Sequence, residues 1–456
     1  MRHGLRAAAF TALALVLAGA PLSAQPVQGG PLPGPLPLFP ATNWWNTNVS
    51  SAPVDPSSDA ILAWIGLAKG LHPDFGGDAS PSPTIYGMPY VVVPGTQPLE
   101  PMAFDYASES DPGAPGRPPG YPIPAEAISQ PKWIEGGYPG NATAGGDKHL
   151  LIVDKDNRIL FETWNTRFNN VTQSWEAGSG AVFPLDSNQR RPDGWTSADA
   201  AGLAILPGLV RYDEVAGAGP IRHAFRFTVR ATNGYVYPAS HRAGSTTGAP
   251  PMGTRLRLKS AKNISGYSAD VQRIFQAMKT YGLVVADNGS DMYVQGTYDT
   301  RWNNGVLNPA FASIHASDFE VVQLGWKPSA SPARGPMSFF TLTPCRVVDS
   351  RAVPGPGPLP ANGSRVVAVA GACGVPAGAG AVSANVTIVA SGSGWISLYP
   401  GDGTDPGTSN VSFSAGQVRA GAALLYLATD GSGDVGIANI SSGVNHFILD
   451  VNGYFQ

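Results

Sequence analysis

The chain has 456 residues, of which only 13% are charged, and a formal net charge of −3. That balance lacks the basic footprint that nucleic acid or an anionic membrane surface calls for. The 56 glycines and 43 prolines, set among short alternating segments, predict a mainly β protein with many turns and two or so helices, long enough for two domains at roughly 100–200 residues each.

Met1 to Arg6 is basic, Ala7 to Leu17 is apolar and the residues up to Ala24 are mostly small, the pattern of a secretory signal peptide over 1–24. A cut after Ala24 fits better than one after Ala20, which would leave Pro21 at the new terminus. No later stretch reaches the ~18 apolar residues of a membrane span, so the expectation is a secreted protein without one.

Residues 25–39 are Pro, Gly and Leu without periodicity, a linker or a strap over the surface, and order is expected from Phe39. Trp44 and Trp45 either anchor the N-terminus in the core or stack on sugar. A helix is predicted from Ser57 or Ser58 through Lys69, with Ile61, Leu62, Ile65 and Ala68 as its stripe and Gly70 as its stop. Tyr86 to Val93 reads as a strand. The forty or so residues that follow form a Pro/Gly-rich loop whose Asp105, Glu109, Asp111 and Glu126 make either a functional rim or a solvated surface. A hairpin follows, His149 to Val153 and Arg158 to Trp164 around a turn at Asp154–Asn157.

Asp193 to His241 concentrates polar and aromatic residues between apolar anchors. Asp199 follows a Trp-Thr-Ser run, and Leu203 to Leu209 leads into Arg211, Tyr212, Asp213 and Glu214. His223, Phe225, Phe227 and Val229 alternate with Arg226 and Thr228, as in a half-buried strand with His223 on the inner face. Arg255 to Lys259 is a strand, Ser268 to Tyr281 an amphipathic helix stopped by Gly282, and Leu283 to Val294 a strand, turn and strand. Arg301–Trp302 and Phe319 to Leu324 complete a β-rich domain over 40–327.

Residues 328–336 are a linker by composition. Beyond it, seven short segments between Ser364 and Val451 alternate with Gly/Ser/Asp/Asn turns, the pattern of a β-sandwich over 337–456. The two cysteines, Cys345 and Cys373, both fall here and read as one disulfide rather than two free thiols. Phe339 to Arg351, Cys373 to Pro376 and the ending Asp450 to Phe455 resemble a β-sandwich module appended to exported bacterial wall hydrolases and polysaccharide-degrading enzymes. Gly146 to His149, Trp195 to Gly202, Arg211 to Asp213 and Ala286 to Ser290 look like a group of secreted microbial proteins. The resemblance implies export and a modular layout typical of carbohydrate-active enzymes.

The chain has no His-Glu-x-x-His, Gly-x-Ser-x-Gly or phosphate-loop motif. What is abundant is carboxylate with aromatic, which suits glycoside hydrolysis of a polysaccharide: two carboxyl groups across the bond and rings to hold the sugar. Asp199, Asp213, Glu214, Glu162 and Asp287 are candidate carboxylates, Trp164, Trp195, Tyr212, Tyr235 and Tyr237 candidate platforms, and Arg211 a substrate contact. No cofactor is required, although His149, His223 and His241 could hold a divalent metal, or one of them could be the base of a polysaccharide lyase. A non-catalytic glycan-binding adhesin is the alternative from another class. The expected cleft lies between the Asp193–His241 element and the Gly146–Trp164 hairpin, with His149, Asp199, Arg211, Asp213, His223 and His241 converging.

Overall fold

The structure is a computed structural model that describes residues 25–328, 336–353, 355–403, 405–429 and 432–456. The expected signal peptide and residues 329–335 of the expected linker lie outside the described residues. In chain order the N-terminal part contains β1 (Val27–Gln28), α1 (Ser58–Ile65), β2 (His72–Gly76), β3 (Tyr90–Val93), β4 (Met102–Phe104), α2 (Glu126–Ser129), β5 (Leu150–Asp154) and β6 (Ile159–Trp164). It continues with β7 (Arg167–Asn169), β8 (Ser174–Ala177), β9 (Ser179–Pro184), α3 (Tyr212–Val215), β10 (Phe225–Val229), β11 (Arg255–Leu258), α4 (Ala269–Thr280), β12 (Leu283–Asn288), β13 (Tyr293–Tyr298), α5 (Asn304–Ala312) and β14 (Phe319–Val321). The chain is mainly β, as its composition predicts.

One sheet has the order β1-β3-β5-β6-β9 and is buried on both faces. Tyr90, Val92, Leu151, Val153, Leu160, Ala181 and Phe183 join the large core, whereas Val91, Val93, Leu150, Ile152, Phe161 and Val182 pack with Tyr121, Ile123, Trp133 and Trp175. Two covered faces explain why β3 and β5 read as unbroken apolar runs rather than alternating ones. The second sheet, β14-β11-β12-β10-β13-β2, is mixed, with β10 parallel to β12 and β13 parallel to β2. Helix α4 is where its spacing places it: Ser268 Oγ caps Val271 N, and Val271, Ile274, Phe275 and Met278 are buried.

Several boundaries differ from expectation, each for a local reason. The strap at 25–39 is ordered well before Phe39, because Val27 and Gln28 pair with Val92 and Val91 and close that sheet edge, and Leu38 and Phe39 are buried. Helix α1 stops at Ile65 rather than Lys69, since Gly66 takes a φ of 109° that ends the helix four residues before Gly70. The strand expected from Tyr86 begins only at Tyr90, because Met88 bonds across to Gly296 of β13 in the other sheet. The long loop is not structureless: it holds β4, α2 and a short 3-10 turn at Ala107–Glu109. Trp44 and Trp45 are 5% and 0% exposed, which makes them core anchors.

The C-terminal part adds β15 (Phe339–Asp349), β16 (Ser364–Ala368), β17 (Ala381–Val389), β18 (Gly394–Pro400), β19 (Val411–Phe413), β20 (Val418–Tyr426), β21 (Asp434–Ser441) and β22 (His446–Phe455). They form two four-stranded sheets, β15-β22-β17-β20 and β16-β21-β18-β19, whose inward residues make one apolar core. Cys345 of β15 is bonded to Cys373, closing a loop of 28 positions. Replacing both cysteines with serine should lower the stability of this part by about 3–4 kcal/mol, the chain-entropy value for such a loop. Denaturant unfolding of the double variant beside the oxidised wild type measures it.

Candidate active site

The polar centre of the molecule starts from strand β10. Phe225 and Phe227 enter the large core, so strand alternation turns Arg226 to the opposite face. The sequence pattern makes that the wet face, yet Arg226 has no exposed surface. Its Nη2 donates to Asp199 Oδ1 at 3.0 Å and lies 3.9 Å from Asp287, and its Nη1 donates to Gln295 and touches Met88 Sδ at 3.9 Å. Register extends the same row: Phe227 faces Val294, placing Gln295 beside Arg226, and Gln295 pairs with Asp74 on β2. Phe75, the next residue, packs on Phe311 of α5 at 5.8 Å, so Asp74 points away from the helices.

Asp199 is delivered by a turn with little freedom. Ser197 Oγ accepts from Asp199 N and donates to Leu203 O, while Ala201 bonds Ala286 and Ser240. Gly202 sits at a φ of 74°, and a Cβ there would come within 2.0 Å of Ser240 Oγ. Histidines grip the turn from both sides: His149 Nε2 donates to Ala198 O at 3.0 Å, and His241 Nδ1 bonds Ala200 O at 2.9 Å. Burial holds the Asp199 carboxyl above its usual range, although Arg226 pulls it down. Burial and then the charge of Asp199 push neighbouring Asp287 up to about 6.

His149 Nδ1 meets Glu135 Oε2 at 2.6 Å, and the His149 backbone N–H donates to the same oxygen. Both ring nitrogens therefore face acceptors, so the ring carries two protons. Burial alone would lower its pKa, but the Glu135 charge and hydrogen bond outweigh burial and lift it to about 9. Conversely, burial would raise Glu135, and the charge and two hydrogen bonds of His149 hold it below its ordinary value.

Glu135 opens onto a cleft of ≈ 290 Å³ whose wall also includes Asp74, Asp147, Tyr86, Met88 and Gln295. Met88 and Gln295 connect it to Arg226. In this cleft Asp74 is pushed upward, first by burial and then by the negative charge of Glu135, with only partial relief from His72 and Arg226. Two carboxyl groups on one cleft are thus driven in opposite directions, which is the arrangement that separates a proton donor from a base.

The residues singled out in the sequence are distributed over several places. His149, Asp199 and His241 surround the same turn, but Arg211, Asp213 and His223 are elsewhere. There Glu214 caps α3, pairs with Arg211 Nη2 at 2.7 Å and receives His223 Nε2 at 2.9 Å, while Asp213 lies 3.3 Å from Arg211 Nε. Glu162 is fully buried and accepts the N–H groups of Ile205 and Leu206, so it caps a turn rather than facing a cleft. Burial pushes it up to about 7 against those two bonds.

Trp164 donates to cleft residue Asp147 at 3.3 Å, and Trp195 lies under Arg191. Tyr212 carries Arg301 over its ring, and Tyr237 carries Lys327. Of the loop carboxylates, Asp105 pairs with Arg167 and Asp111 with Arg191, which fastens the loop down. Among the described residues no group of three or more His, Cys, Asp or Glu side chains is arranged to hold a metal ion, and the ring nitrogens described for the three histidines are committed to separate partners. No helix among the described residues is long and apolar enough to cross a membrane. No protein-family model matches the chain, and no curated protein matches it in sequence.

Arg226→Met leaves Asp199 as an unpaired buried charge and should cost about 3–5 kcal/mol, whereas Asp199→Leu combined with Arg226→Met should cost less than the two single changes summed; thermal and denaturant unfolding give both numbers. A second expectation concerns pH. Because the folded-state pKa of His149 is raised to about 9 from 6.5, its stabilisation is fully present below about pH 6.5 and is lost as pH rises through about 9. Glu135, lowered from 4.5, contributes above that value and loses its share as pH falls through the lower folded-state value. The stability gap between wild type and His149→Gln, measured from pH 3 to 10, should therefore narrow at both ends.

Proposed function

We propose that the protein is an exported glycoside hydrolase acting on an extracellular or cell-wall polysaccharide, and that the scissile bond lies in the Asp74–Glu135 cleft. One observation carries the reading: two carboxyl groups line the same cleft with opposite pKa displacements, Asp74 up and Glu135 down. Glycoside hydrolysis needs such a pair, an acid for the departing oxygen and a carboxylate for the opposite side of the ring. Asp74, kept protonated longer, gives its proton to the glycosidic oxygen. Glu135, kept ionised by His149, either activates water or attacks the anomeric carbon. Gln295, which bridges Arg226 and Asp74 on adjacent strands, holds the row in register, and Tyr86, 55% exposed at the cleft wall, offers a ring face to the sugar.

His149 supports hydrolysis over elimination. A base needs a free lone pair, and both nitrogens of this ring already donate. The resemblance of the C-terminal part to modules appended to polysaccharide-degrading enzymes agrees with the substrate class.

Incubation with a panel of polysaccharides, following reducing ends together with absorbance from unsaturated uronates, tests the proposal. New reducing ends without absorbance are expected. The rate should fall by about 10²–10⁴ in Asp74→Asn with little change in melting temperature, and by a similar factor in Glu135→Gln, whose melting temperature also falls because buried His149 loses its carboxylate partner. The pH profile should be bell-shaped, falling on the acid side as Glu135 gains a proton and on the alkaline side as Asp74 loses one. Growth of absorbance would make the protein a lyase, and binding without product across the panel an adhesin.

A further inference from the structure

The described residues include six buried arginines, and five have a carboxylate partner: Arg191 with Asp111, Arg211 with Glu214, Arg226 with Asp199, Arg257 with Glu320 and Arg365 with Asp186. Arg255 is the exception. It is 8% exposed, and its guanidinium donates only to the backbone carbonyls of Trp44 and Thr47. Burial lowers it to about 10, and among the described residues Tyr237 alone offsets that. A buried cation without an anion is costly, and proteins normally pair it.

Arg255 lines a small pocket with Trp44, Tyr237, Trp326 and Gln323 that shares no residue with the Asp74–Glu135 cleft. Its interior, ≈ 20 Å³, accepts one small polar group. Three further features favour a negative one. Trp44, 5% exposed, has a buried indole Nε1 without a hydrogen-bond partner among the described residues. Lys327 Nζ stands 4.4 Å over the Tyr237 ring. Arg190 lies near Tyr237, although it is paired with Asp193, and no carboxylate among the described residues lines the pocket.

We propose that this pocket is a second binding site, for a carboxylate group: Arg255 meets its charge, the Trp44 indole donates to it, and the rings of Tyr237 and Trp326 flank the moiety that bears it. A uronic acid residue of a glycan and a free small carboxylate share this chemistry. The site stands whether or not the cleft hydrolyses glycans.

Calorimetric titration of the full chain with sodium acetate, with trigalacturonate and with its carboxyl-reduced neutral counterpart tests the proposal. Trigalacturonate is expected to bind at least about tenfold more tightly than the neutral sugar, with affinity falling as salt rises. Arg255→Gln should lose that preference. Because Arg255 also ties down two carbonyls and its variant could unfold, Tyr237→Leu and Lys327→Gln, at partly exposed positions, should each weaken binding several-fold. Saturable acetate binding of equal strength would support the site and assign it to small carboxylates. Equal affinity for charged and neutral trisaccharides, no binding of either carboxylate up to roughly 10 mM, or unchanged affinity in Tyr237→Leu and Lys327→Gln would overturn the proposal.

Discussion

A guanidinium without exposed surface, Arg226, stands on the face of β10 that an alternating strand would turn to water. Burying it demands partners from every direction, and they come from distant parts of the chain: Asp199 from the turn after β9, Asp287 from β12, Gln295 from β13 and Met88 from the segment that crosses between sheets. Their convergence fixes the row that ends at Asp74 and leaves Asp199 Oδ2 buried without a hydrogen bond among the described residues. A pair of this kind contributes modest net stability, because desolvation offsets attraction, but its partial loss is severe. It defines which arrangement of the two sheets is tolerated.

Ionisable groups in the core divide into two kinds. Glu162 spends both oxygens on the N–H groups of Ile205 and Leu206, and Arg211, Glu214 and His223 pair with one another away from the cleft. Both are scaffolding. Asp74 and Glu135 instead border open volume with hydrogen-bonding capacity left over: both described contacts of the Glu135 carboxylate fall on Oε2. His149 belongs to both kinds, since one nitrogen holds the Ala198 turn and the other holds Glu135.

Local patterning made the β-rich class, the His149–Trp164 hairpin, helix α4, the C-terminal strands and the disulfide legible, because each depends on short-range periodicity, capping or cysteine count. The density of polar residues between apolar anchors in the Asp193–His241 element was legible too. Its partition was not. Register across non-neighbouring strands decides that Arg226 lies beside Gln295, and no spacing in the sequence encodes it. Asp74 escaped notice within His72–Gly76, a strand too short to alternate visibly, and Glu135 within a Pro/Gly-rich stretch whose only signal was neighbouring Trp133 and two glycines. The covered second face of the first sheet was likewise invisible, since Tyr121, Ile123, Ala127, Trp133 and Ile134, which help to cover it, come from that same stretch.

The place of β2 in its sheet bears on when the cleft comes into being. It is an edge strand whose only sheet neighbour among the described residues is β13, about 220 positions later. A chain still being synthesised, or one ending before Tyr293, offers His72–Gly76 no ladder to join, and closing so long a loop precedes any reward from the pairing. Asp74 is therefore among the last groups set in place, after β10 and β12 have a surface to present. The cleft therefore takes shape only in the finished N-terminal fold, and a piece of the chain without β13 lacks both Gln295 in its wall and the ladder that holds Asp74.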